Sequence, residues 1–590
     1  MAHQFHIPVL GLGYSIDTPL KIARYGISSV VSIVDDELIE RMRKYHTEGH
    51  QLNYMPILKN TTDYRSKRIT AYLNLLNDLV NAQFDLLKQQ DFVEGNDICR
   101  YFELLPENSQ LKQGYDLMMD YPEGQAKRIF QNILRKQMKV GAIDVNIMSK
   151  VDKLNFGKDD HYLGDENTDA LAALRGFAKS NVQSSIVLSA GMNPRLYGYL
   201  TAFDDFYPDQ DGTFKKKIIL KVSDFRSAFI QAKFLAKKGL WVAEFRIESG
   251  LNCGGHAFAT EGYLLGPILE EFKQKKSSMI AELYQLYVTG LAEKGIDQTA
   301  VPKQQISVQG GIGTATENAF LHQHYQVNST GWGSPFLLVP EVTNVDEHTL
   351  TLLAEATEKD FYLSNSSPLG VLFNNFKGSG IEDQRLERIE KGRPGSPCTK
   401  KYLCTNTEFT AQPICTASRE YQNLKIKQLE TLALPEQEFK QQFDAITEKV
   451  CLCEGLCAST YIKTGTVKMK ESKAVAICPG PNLAYFSSSY SLEQMVGHIY
   501  GKADLLTKVK RPHFLIKELD LYIDYLQTEI QSHLKDLNDK KQKQLSKFKM
   551  QLLEGIDYYK TLFSEQAQLI KTQFYHELLV SENKLNNTVI

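Results

Sequence analysis

Short runs of β-branched and other apolar residues alternate with amphipathic stretches from the start of the chain to about residue 333, and this recurrence restricts the fold more than any other feature. Eight runs have this character: PVLGLG (8–13), SSVVSIV (28–34), AIDVNIM (142–148), SSIVLSA (184–190), KKIILKV (216–222), WVAEFRIE (241–248), QQISVQGG (304–311) and QVNSTGWG (326–333). The stretches between them read as helices. In DFRSAFIQAKFLAKKG, for example, an aspartate opens the helix and a glycine closes it. A strand, a helix and a further parallel strand make one βα unit, and eight such units predict an α/β fold, a closed (β/α)8 TIM barrel.

The spacing breaks once, between the second and third runs. Residues 36–140 carry Ile69, Leu73, Leu76, Val80 and Leu87 at helical intervals, which predicts a helical insertion after strand 2 that caps the barrel mouth. The barrel is therefore expected from 1–35 and 141–385. Polar, glycine- and proline-punctuated sequence follows, predicting an irregular, cysteine-containing region over 386–500. A helical C-terminal extension over 501–590 is marked by Leu519, Tyr522, Ile523, Leu526, Ile530, Leu534 and Leu537, and is expected to form a hairpin packed on the body, or an arm for a homo-oligomer or protein partner.

Charge narrows the partners. With 68 basic and 70 acidic residues finely mixed, the net charge of -2 gives no electrostatic reason to expect nucleic acid or an anionic membrane. No apolar run approaches the roughly 20 residues that span a bilayer, and the first residues lack a basic segment followed by an apolar one, so a cytoplasmic protein with a small-molecule substrate is expected.

Barrel enzymes work at the C-terminal ends of the strands, and phosphates commonly bind at the loops after strands 7 and 8. Gly310, Gly311 and Gly313 follow the seventh run, with a helix opening near Thr314, and Gly331, Gly333 and Ser334 follow the eighth. Glycines let backbone N–H groups approach an anion, and a helix N-terminus favours it. After the sixth run, CGGHAF places Cys253, Gly254, Gly255 and His256 at the mouth. A histidine there can move a proton or meet a negative charge near neutrality.

These stretches resemble the nitronate monooxygenase (2-nitropropane dioxygenase) family of FMN-dependent barrels, which is related to flavin enoyl-ACP reductases. ISVQGGIGTATENAF and STGWGSPF are similar to the family's phosphate-holding loops, CGGHAF to its Gly-Gly-His segment, and IDVNIM to its Gly-Val-Asn strand. IPVLGLGYSIDTPLKIARYG is similar to its first βα unit, although the usual methionine is not plainly present. The likeness covers roughly residues 5–35 and 140–375. It implies bound FMN held by Gly13, Asn146, Lys221, Gly254, Gly255, Gly310, Gly311, Gly313, Gly331, Gly333 and Ser334, with Lys221 beside the flavin N1 and O2 edge and His256 as the catalytic base or anion partner. The implied activity is oxidation of a nitronate-like substrate with dioxygen. The closest alternative is an NAD(P)H-dependent flavin enoyl-thioester reductase, and a third is a flavin-binding subunit of a larger complex. Cys253 departs from the family's small residue and is expected to be an apolar filler.

Seven of the nine cysteines fall between Cys398 and Cys478. Cys451, Cys453, Cys457 and Cys478 are a candidate set for zinc or an iron-sulfur cluster, although the spacing matches neither a zinc knuckle nor a ferredoxin run, and reduced buried thiols are the alternative. His322 and His324 are expected to be structural or exposed.

Overall fold

A computed structural model describes residues 2–148, 152–157, 161–189, 191–257, 261–297, 300–506, 509–533, 538–564 and 568–590. Ala190 and Phe258 of the motifs above, and Leu534 and Leu537, lie outside the described residues.

Eight parallel strands close into a barrel in chain order: β1 (Phe5–Ile7), β2 (Ser28–Ser32), β3 (Ile143–Ile147), β4 (Ser184–Leu188), β5 (Lys216–Val222), β6 (Val242–Glu248), β7 (Gln305–Gln309) and β8 (Ser329–Gly331), with β8 pairing back onto β1. Helices separate successive strands, so the fold is a (β/α)8 TIM barrel. Side chains alternate across each strand. Val31, Val145, Ile186, Leu220, Phe245 and Val308 belong to the main core under the helices, whereas Val30, Val187 and Ile219, one register step away, form a separate small cluster. Polar groups fill much of the remaining inner face. Arg246 Nε donates to Glu244 Oε1 at 2.8 Å and Nη2 lies 3.8 Å from Asp144, while the Ser307 hydroxyl also donates to Glu244. Burial, with Arg246 beside it, lowers the His6 imidazole to about 3 and keeps it neutral.

The first strand lies earlier than the sequence pattern places it. Residues 8–13 are a loop, because Pro8 has no N–H for the ladder and Gly11 turns with φ of +53°, leaving Phe5–Ile7 to pair with β2 and β8. The 36–140 insertion is helical, with its long helix Tyr64–Gln89 burying Ile69, Leu73, Leu76, Val80 and Leu87. It does not line the mouth cavity. That helix packs on the barrel flank against the helix Asp169–Ala178, where the Thr70 hydroxyl donates to the Gly176 carbonyl. The outer layer thus uses it as the β2–β3 crossover.

The mouth is covered instead by sequence beyond β8. An antiparallel pair, β9 (Phe361–Ser364) and β10 (Phe373–Phe376), joins the loop after β6 through Ala257 N to Leu372 O and Asn374 N to Gly255 O, both at 2.9 Å. The region 386–500 is richer in helix than its polar composition suggests, holding Arg419–Glu430, Glu436–Thr447, Leu452–Lys463 and Leu492–Tyr500. The pattern of the first three is masked because the first two bury almost nothing and the third is buried on most sides, whereas the fourth carries the stripe Leu492, Met495, Val496 and Ile499. The extension forms three helices rather than a hairpin, Phe514–His533, Asp539–Ser564 and Gln568–Asn586, and packs on the helix Leu265–Ala292. Leu519, Tyr522, Ile523, Leu526 and Ile530 are buried as the stripe predicts. Among the described residues no helix is long and apolar enough to cross a membrane.

Candidate active site

A cavity of about 240 Å³ lies at the C-terminal ends of the strands, and Asn146, Lys221, Gly254, Gly255 and His256 all line it. Strand register explains the grouping. Asn146 precedes the end of β3, Lys221 that of β5, and Glu248 ends β6, so each side chain emerges at the rim. Lys221 Nζ sits 2.5 Å from Glu248 Oε2, and Gln309 Nε2 donates to Glu248 Oε1 at 2.9 Å. Glu248 was not singled out in the sequence, although its place at the end of a strand run was the available signal. The rest of the wall is apolar, with Val9, Leu10, Leu337 and Phe373 beside Leu403, Leu456 and Ile477 from beyond the barrel.

The loop after β6 is built by backbone constraints. Gly254 and Gly255 have φ of +117° and +77°, and a Cβ on Gly254 would strike the Cys478 carbonyl, so the chain can pass there only as glycine. Asn252 ties the turn by accepting from Gly254 N at 2.9 Å and donating to His256 O at 2.8 Å. His256 is thereby presented to the cavity, its Nε2 2.7 Å from Ser367 Oγ and its ring edge-on to Phe373 with centroids 5.0 Å apart. Ser367 is fully buried and lies more than a hundred residues away in the chain, a partnership that no local motif could signal.

The residues expected to hold a phosphate are placed differently. None of Gly310, Gly311, Gly313, Gly331, Gly333 and Ser334 lines the cavity, and the chain itself occupies the Gly313 N–H, the Gly311 carbonyl and the Ser334 hydroxyl. Arg511 reaches the loop after β7 from beyond residue 500, donating through Nη2 to Gly311 O at 2.5 Å, through Nη1 to Glu317 Oε1 at 2.6 Å and through Nε to Asn482 Oδ1 at 3.0 Å. Glu317, in the first turn of the helix Ala315–Gln323, accepts from Gly313 N at 2.8 Å and Phe514 N at 2.9 Å. Burial pushes its carboxyl up, but Arg511 and His513 bring it below the ordinary range. The Ser334 hydroxyl donates to Cys253 O and accepts from Gly480 N, both at 2.8 Å. Gly331 abuts Gln309 and His6, and Gly333 abuts Cys253. Gly13 packs under Thr460 rather than beside the cavity. Asn146, Lys221, Gly254, Gly255 and His256 thus stand round one cavity, while two donors expected to meet a phosphate, Gly313 N and the Ser334 hydroxyl, are taken by Glu317 and Cys253 O. FMN held through these loops does not fit.

Cys253 is half-buried in the cavity wall, and its thiol is pushed well up by desolvation and by Glu248. The proposed metal set does not assemble. Among the described residues no group of three or more His, Cys, Asp or Glu side chains is placed to hold a metal ion, and all nine cysteines are free. Cys457 donates to Asp35 at 3.4 Å, Cys453 and Cys478 stand in the cavity wall, Cys451 and Cys453 contact each other, and Cys398 and Cys404 lie with sulfurs 3.9 Å apart. Four cysteines in one stretch were compatible with a cluster, but Cys457, one turn on from Cys453 in the helix Leu452–Lys463, is engaged by Asp35 instead. His322 Nδ1 bonds Val327 O, and His324 lies 3.4 Å from Glu270, both structural contacts.

No protein-family model and no curated protein matches the chain. Among solved structures, a FabK mutant from Thermotoga maritima is similar at 11% identity over 66% of this chain and 80% of that one, with a TM-score of 0.29. What the closed ring of eight parallel strands establishes on its own is the (β/α)8 barrel fold.

Proposed function

We propose that the chain is an enzyme that moves a proton on a compact carbon acid, such as a nitroalkane and its nitronate, in the mouth cavity. The observation that carries this reading is the convergence of His256, Lys221, Glu248 and Asn146 on one largely apolar cavity at the strand ends. His256 takes or returns the proton, with Ser367 fixing its ring. The Lys221 ammonium, held by Glu248, meets the charge that spreads onto a nitro or carbonyl oxygen as the carbon acid ionises, and Asn146 offers an amide donor on the same wall. Apolar walls strengthen both interactions by excluding water. A volume of about 240 Å³ lies below the roughly 300–1,000 Å³ of pockets for drug-sized ligands, which favours a small substrate.

The test is proton exchange at the α-carbon of nitroalkanes, followed by NMR in deuterated water. The parent chain should exchange it, and His256→Asn should lose roughly 10²–10⁴-fold in rate while keeping its melting temperature. Equal rates in the two would remove His256 from the chemistry.

A flavin oxidoreductase is the second reading, either of the nitronate monooxygenase type or an NAD(P)H-dependent enoyl-thioester reductase. It is favoured by the ring-side residues Asn146, Lys221, Gly254, Gly255 and His256 standing round one cavity. Consumption of dioxygen with a nitronate, or oxidation of NADPH with an enoyl thioester, separates its two forms.

A further inference from the structure

We infer that the Glu317–Arg511 pair stands in for a ligand phosphate, and that the mouth cavity takes a ligand with no phosphate arm. This rests on reading the cavity as the binding site and narrows what can enter it.

Three observations converge. The first is saturation: the carboxylate of Glu317 already accepts from Gly313 N, just ahead of its own helix, and from Phe514 N, at the start of the helix Phe514–His533, as a bound anion would. Arg511 answers it from the other side, and both side chains are almost wholly buried, at 4% and 6% exposure. A phosphate entering here would meet a buried carboxylate and a guanidinium whose three nitrogens already serve Gly311 O, Glu317 and Asn482.

The second is the route. Gly255 N donates to Cys478 O at 3.0 Å, Gly254 bridges Pro479, and Gly480 N donates to Ser334 Oγ. Residues 478–480 are thus stitched to both the loop after β6 and the loop after β8, across the path from the cavity to the phosphate loops. The third is size, because the cavity is smaller than those that enclose drug-sized ligands.

Titration of the full chain with riboflavin, FMN and inorganic phosphate, followed by flavin fluorescence and by thermal melting, tests the inference. FMN should bind no more tightly than riboflavin, and phosphate should leave the melting temperature unchanged. FMN binding more than about tenfold tighter than riboflavin, or FMN retained through purification, would overturn it. If neither flavin binds, the absence of phosphate anchoring stands and the flavin reading of the cavity falls.

A rescue experiment gives an independent arm. Glu317→Ala removes the internal anion and leaves Arg511 and the Gly313 N–H facing its place. Inorganic phosphate should then raise the melting temperature of the variant and not that of the parent. Equal stabilisation of both would mean that phosphate acts elsewhere and would count against the surrogate. Should the variant not fold, the ratio of FMN to riboflavin affinity in the parent decides.

Discussion

Arg511 and Glu317 carry opposite charges that neither could hold alone in so buried a place. Removing the guanidinium strands a carboxylate among backbone dipoles, so Arg511→Ala should cost about 3–5 kcal/mol. Arg511→Met combined with Glu317→Gln should cost less than Arg511→Ala, because no charge is left unpaired. Urea unfolding of the set would check this, and a double variant worse than the single one would show that the pair's value lies in packing rather than charge. At this scale the sequence was legible where the candidate site sits on strand ends. His256, Asn146 and Lys221 could be placed from run boundaries, and Glu248 could have been. Glu317, Arg511 and Ser367 could not, since each acts through a partner more than a hundred residues away.

Among elements, the helix Phe514–His533 shows how the extension is fastened to the barrel. Its Tyr522 hydroxyl accepts from Gly250 N at 2.8 Å and its Glu518 accepts from Leu265 N at 2.9 Å. Burial raises the Glu518 carboxyl to about 7, against an ordinary 4.5. A raised carboxyl favours the folded state fully below pH 4.5 and loses that advantage as pH rises through 7, since only the unfolded chain ionises freely. Glu518→Gln should therefore gain on the parent between pH 4 and pH 8, by on the order of 3 kcal/mol. Chemical denaturation at the two pH values measures it, and a difference that does not change with pH would place the carboxyl in contact with water. The same scale shows which elements were readable. KKIILKV and the 64–89 stripe keep one period and were found. β1 is only three residues long ahead of a proline, and the helices Arg419–Glu430 and Glu436–Thr447 lack an apolar stripe wide enough to read.

One main hydrophobic core, apart from the small cluster inside the barrel, runs from Phe5 through the insertion's Ile69 to Leu585 in the last helix. A common core predicts one cooperative unfolding step. Both tryptophans, Trp241 and Trp332, are buried in the barrel region, while much of the helix lies outside it. Tryptophan fluorescence and far-ultraviolet circular dichroism should consequently melt together, and separated transitions would show that the C-terminal helices fold on their own. The barrel was legible at this scale because its signal repeats eight times, whereas the cover over its mouth has no repeat and exists only through distant contacts such as Gly255 N with Cys478 O. That distance also sets an order in time. β8 ends at residue 331, and the last strip of the cavity wall, Ile477 and Cys478, follows roughly 150 residues later. A ribosome adding about 5–20 residues per second needs roughly 8–30 s to reach it. During synthesis the barrel can close, with Asn146, Lys221 and His256 already in place, well before the outer wall of its pocket exists, and the pocket is enclosed only once residue 478 has emerged.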